Sequence, residues 1–135
     1  MSKGKIDTTK LWFRKAKNDL ISAEKLSSGD NPVLDTAIYH CQQAAEKTLK
    51  GFLVFNEIEF SKTHDLRTLI NLGSIKDNAL IELTNAAESL TPYAVEYRYP
   101  DDIMEPDINE FNDAYRYAKF VYEFILNKMF FKLEE

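Results

Sequence analysis

The chain has one cysteine, two histidines, four glycines and four prolines, no long apolar run and no excess of positive charge. Each shortage excludes something. The lone thiol, Cys41, cannot close an internal disulfide and fits a reducing, cytoplasmic setting. So few Gly and Pro cannot supply the turns of an all-β or disulfide-stapled fold. No stretch approaches the roughly 20 apolar residues needed to span a bilayer. Met1 to Lys10 lacks the apolar segment of a signal peptide, so a soluble intracellular protein with no membrane role is expected. The net charge of −5 and a pI near 5.1 argue against a generic cationic surface for duplex nucleic acid, which needs Lys and Arg to displace counterions. Neither His40 nor His64 has a metal-binding neighbour at ligand spacing, which argues against a zinc site. A Gly-rich phosphate loop and a Gly-x-Ser-x-Gly elbow are both missing.

What is present is helical periodicity. At 135 residues, 44% hydrophobic and 29% charged, the chain suits one globular domain spanning residues 1–135 with a core of its own. A first helix is expected over residues 8–27, capped by Asp7 or Thr8, with Trp12, Ala16, Leu20, Ala23 and Leu26 as its apolar stripe. Ser27 to Asn31 should end it. The second, about Val33 to Asn56, turns Ala37, Cys41, Ala44, Thr48, Phe52 and Phe55 inward. Gly51 lies inside it at a cost of about 1 kcal/mol against Ala, which points to a close neighbour. Tyr39, Gln43, Glu46, Lys47 and Lys50 make its opposite face. Asp65 to Leu72, stopped by Gly73, and Lys76 to Leu90 follow. The last helix covers about Asp107 to Lys132, with Pro106 in its first turn and Asp107 and Glu110 as a capping pair. Thr91 to Glu105 has no helical pattern and is long for a loop in a compact bundle. The expected fold is all-α, an antiparallel up-and-down bundle of four or five helices with a long loop before the last. Met129, Phe130, Phe131 and Leu133 exceed what one amphipathic face buries, which predicts a homodimer interface.

Three polar clusters stand out, each with two readings. Gln42 to Lys50 is a solvated face with a Glu46–Lys50 pair, stabilising by a few tenths of a kcal/mol, or part of a site. Thr63-His64-Asp65 is a helix start capped by Thr63, with Asp65 favoured at the dipole's positive end, or an anion contact through His64. Tyr97-Arg98-Tyr99, in the long loop, is either aromatic packing with an Arg–Asp contact, or a guanidinium that grips phosphate between stacking rings.

Taken together and in order, these elements resemble the HEPN domain, a helical-bundle family named for proposed nucleotide binding. The resemblance is carried by Trp12, Lys15-Ala16 and Asp19-Leu20, then Tyr39-His40, Gln42 to Lys47 and Leu49-Lys50, then Thr63 to Leu66 and Arg98 to Asp101. It implies a dimerising bundle of prokaryotic type that partners a small nucleotidyltransferase, often as a toxin–antitoxin pair. Many members are metal-independent ribonucleases that use an Arg and a following His with four to six residues between them. Here the corresponding positions after Arg98 hold Ile103, Met104 and Glu105, which removes the general acid–base group, worth about 10²–10⁴ in rate.

The expectation is therefore a nucleotide-binding homodimer without ribonuclease activity that requires no cofactor or metal and takes an ATP-like ligand. Arg98, Tyr99, Tyr97, Lys47, His64, Gln43 and Lys50 would contact that ligand. The acidic balance ranks RNA below protein and small-molecule partners. The alternatives are a ribonuclease toxin with a rearranged Arg98/His64 site, and a non-catalytic dimeric scaffold.

Overall fold

The computed structural model describes residues 3–94 and 105–133. Five helices follow one another: α1 (Lys3–Ser27), α2 (Leu34–Phe55), α3 (Leu66–Ser74), α4 (Thr84–Leu90) and α5 (Ile108–Met129). No strand occurs among the described residues, and the all-α bundle expected from the periodicity is what forms. Lys5 meets Glu57 at one end of the first pair while Asp19 meets His40 toward the other, so α1 and α2 run antiparallel. Tyr115 on α5 donates to Glu24, and Lys17 lies over the ring of Tyr122, so α5 also runs against α1. The shorter α3 and α4 close the bundle against α2 and α5. No helix among the described residues is long and apolar enough to cross a membrane.

The centre of the bundle is α2. Fifteen of its 22 residues are buried, so it is covered on nearly every side instead of showing one apolar stripe. Small side chains make this packing feasible: Ala37, Cys41, Ala44 and Ala45 have no solvent exposure. Burial pushes the Cys41 thiol up to about 12, which keeps it protonated as a small apolar filler. At Gly51 the close neighbour is α1: a Cβ there would lie 2.6 Å from the Phe13 ring and 3.0 Å from the Trp12 Cβ.

Several local expectations are corrected. Helix α1 begins at Lys3, so Asp7 and Thr8 lie inside it, and the Thr8 hydroxyl donates to the Gly4 carbonyl instead of capping. Its buried stripe runs through Ile6, Thr9, Phe13, Ala16 and Leu20, leaving Trp12 at the edge, half-buried. Gly73 does not stop α3. It lies inside the helix, where a Cβ would come 2.5 Å from Leu80 Cδ2. Residues 76–90 are not one helix: Asp77 caps a 3-10 helix over Asn78–Leu83, and α4 follows. The unpatterned stretch begins later than Thr91, since Thr91–Tyr93 form another 3-10 turn. Asp107 caps α5 by accepting from the Glu110 amide at 2.7 Å, and Pro106 lies one residue ahead of the cap, not in the first turn.

Candidate functional site

The polar residues of α2 face α1 and the segment leading into α3, and they are not a solvated face. Gln42, Gln43, Glu46 and Lys50 are all buried. Such groups persist in an interior only when they are paired, because an unpartnered polar atom costs about 1–3 kcal/mol. The pairing is organised around two carboxylates.

Asp19 is the first. It sits on the buried side of α1 one turn from Ala16 and Ala23, and only 6% of it is exposed. Its Oδ1 lies 2.8 Å from His40 Nδ1, and its Oδ2 accepts from Lys47 Nζ at 2.7 Å. Glu46 is the second, 4% exposed. Its Oε1 lies 2.9 Å from His64 Nδ1 and accepts from Gln42 Nε2 at 3.1 Å, while Oε2 accepts from Lys50 Nζ at 2.9 Å. The Lys50 ammonium also lies 5.8 Å from the centre of the Phe60 ring. Burial by itself would raise the Glu46 carboxyl. The bonds from Gln42, Lys50 and His64 outweigh that and hold it below the usual carboxylate range, so it is ionised at neutral pH. Gln43 donates to Gln42 Oε1 at 2.7 Å, and Gln42 also reaches the His64 carbonyl at 3.3 Å, so the buried network ties α2 to the start of α3.

At that start the cap is Asp65, two residues beyond the expected Thr63. Asp65 accepts from the Arg67 amide at 3.1 Å and the Thr68 hydroxyl at 3.0 Å, while Thr63 Oγ1 accepts from the Asp65 amide. These bonds turn the backbone so that His64 faces Glu46.

Of the residues expected to contact a ligand, the structure brings together Gln43, Lys47, Lys50 and His64 along one side of α2. Gln43 and Lys50 are interior members of the network. Lys47 and His64 lie at its surface, with 27% and 36% of their side chains exposed. Tyr97, Arg98 and Tyr99 lie outside the described residues. Asp19 and Gln42 belong to the network although neither stands among the expected ligand contacts. Asp19 had a signal, since an acid on an apolar helical stripe requires a partner. Among the described residues, no group of three or more His, Cys, Asp or Glu side chains is placed to hold a metal ion.

These features define a class: a helical-bundle domain whose polar chemistry is gathered on its central second helix, with both histidines of the chain held by buried carboxylates. The HEPN domain family model matches residues 9–129, and the chain belongs to that family. Among solved structures, an archaeal HEPN homologue shares 23% identity with it over 90% of this chain and 97% of the other, at a TM-score of 0.70. No curated protein shows significant sequence similarity to it.

Proposed function

We propose that this chain is a nucleotide-binding HEPN protein that works as a homodimer with a small nucleotidyltransferase partner, in a toxin–antitoxin pairing of prokaryotic type. On this reading it has no ribonuclease activity of its own. The observation that carries the reading is the position of Lys47 and His64. Lys47 on α2 and His64 just ahead of α3 both stand at the surface, each anchored by a buried carboxylate, Asp19 and Glu46 respectively. Such anchoring fixes the donor groups before a ligand arrives, which lowers the ordering cost of binding. Lys47 and His64 hold phosphate, Arg98 adds a planar fork, and Tyr97 or Tyr99 stacks on the base. Gln43 and Lys50 contribute from behind by holding Gln42 and Glu46 in place. Phe130, 58% exposed at the end of α5, belongs to the dimer contact.

Calorimetric titration with ATP tests this. The wild type is expected to give heat with a dissociation constant below about 1 mM, weakened at least tenfold in Lys47→Ala and in Arg98→Ala. No heat from the wild type would refute nucleotide binding, and a monomer by light scattering at micromolar concentration would refute the dimer.

A specific observation favours one other reading. His40 and His64 each meet a buried carboxylate through Nδ1, an arrangement that orients imidazoles for proton transfer. A ribonuclease built on Arg98 and His64 would cleave RNA in the presence of EDTA and lose that activity in His64→Ala. Intact RNA after incubation with the wild type excludes it.

A further inference from the structure

Trp12 departs from the α1 core stripe and lines a surface groove beside α2. The groove holds about 260 Å³ between Thr8, Leu11, Trp12, Lys15 and Lys47. Its position follows from Gly51: because α2 has no side chain there, Phe13 packs into the interior and Trp12 lies over the edge of the helix contact. Leu11 is 43% exposed, so the groove presents an aromatic and an aliphatic wall to water. Its volume is just under the roughly 300 Å³ at which pockets for drug-sized ligands begin, which suits one ring system and not an extended molecule. Cationic side chains stand on its rim. Lys15 is exposed and forms no ion pair among the described residues, and Lys47 shares Asp19 with His40. Helix α1 as a whole carries seven basic and three acidic side chains, a local +4 in a chain of net charge −5.

An apolar slot with ammonium groups at its rim, on the one strongly cationic helix among the described residues of an acidic protein, is complementary to a planar ring joined to an anion. We infer that the Trp12 groove receives the base of a nucleotide unit, with Lys15 and Lys47 on its phosphates. The unit comes from a free nucleotide or from a single RNA strand, which share this chemistry. The inference rests on the nucleotide-binding reading above and deepens it by placing the base on Trp12 in place of Tyr97 or Tyr99. Lys47 then bridges the groove to the His64 side of α2. Base stacking on an aromatic side chain tolerates different bases, since every base has a π-face.

Trp12 is the only tryptophan in the chain, so its fluorescence reports on this groove alone. The probes are ATP, inorganic tripolyphosphate and hexa-adenylate RNA, each titrated by calorimetry and by Trp12 emission. ATP is expected to quench Trp12 with the same midpoint as its heat, while tripolyphosphate leaves the emission unchanged. Trp12→Leu, with its fold checked by circular dichroism, should weaken ATP about tenfold and leave tripolyphosphate unchanged. Lys15→Ala should weaken both. Quenching by hexa-adenylate without any response to ATP identifies RNA as the source of the base and supports the groove, while it removes the free-nucleotide reading. ATP heat with no quenching, and an unaltered constant in Trp12→Leu, overturns the groove and leaves a phosphate site at Lys47 and His64 standing. Silence from ATP and from hexa-adenylate overturns both.

Discussion

A methyl group at position 51 would lie 2.6 Å from Phe13 Cε1 and 2.9 Å from its Cδ1, and Phe13 is 4% exposed with little room to retreat. Glycine here is an instrument of packing. In an exposed helix Gly→Ala would stabilise by about 1 kcal/mol. At this position overpacking reverses the sign, and Gly51→Ala is expected to lose about 1–3 kcal/mol, measured by urea unfolding. A gain would mean that α1 can move away at little cost. Gly73 follows the same logic against Leu80 and Phe52. The need for Gly51 was visible in the sequence, because glycine inside a strong helical pattern is costly unless something approaches. That the approaching residue was Phe13, with Trp12 displaced to the surface, was not. Both aromatics suit an amphipathic stripe, and only the angle at which α1 crosses α2 separates them.

At the scale of elements, helix starts are set by short side chains that reach back to free amides, and three of them follow this rule: Asp65, Asp77 and Asp107 each accept from the backbone. The Asp107 cap lies at the far side of the long connection, where it defines where α5 begins. Asp107→Ala should cost about 1 kcal/mol, seen as a small drop in melting temperature, and Asp107→Ser should restore most of it. An unchanged melting temperature in the Ala variant would show that packing of Phe111 and Ala114 sets the helix start without help from the cap. The capping role of Asp107 was legible because it depends on neighbours three residues away. The break at residues 76–90 was not, since the spacing of Leu80 and Leu83 satisfies a 3-10 turn and an α-helix almost equally over six residues.

The whole molecule depends on what surrounds α2. Glu46 is nearly enclosed and balances Lys50, His64 and Gln42 at once. Removing its charge leaves the Lys50 ammonium buried without a carboxylate. Glu46→Gln is therefore expected to destabilise by about 3 kcal/mol and to loosen the junction between α2 and α3. The sign with pH follows from the direction of the shift. The folded carboxyl lies below its ordinary value of 4.5, so its contribution is fully present above that value and is lost as pH falls through the folded one. Unfolding free energies of wild type and Glu46→Gln should stay well separated at neutral pH and converge below pH 4.5. Curves that remain parallel down to acid pH would place the stabilising effect of Glu46 in its packing and not its charge.

The sequence by itself determined the helical class, four of the five helices to within a few residues, the burial of Cys41 and the resemblance that the family match bears out. All of these rest on local spacing, which a single strand of text records directly. Only the tertiary structure decided that the polar side of α2 is interior. Asp19 reaches His40 and Lys47 across 21 and 28 residues, and Glu46 reaches His64 across 18. Helical periodicity records which residues share a side, not which side meets water. For a helix covered on nearly all sides, that is settled by its neighbours, whose placement depends on contacts far apart in the chain.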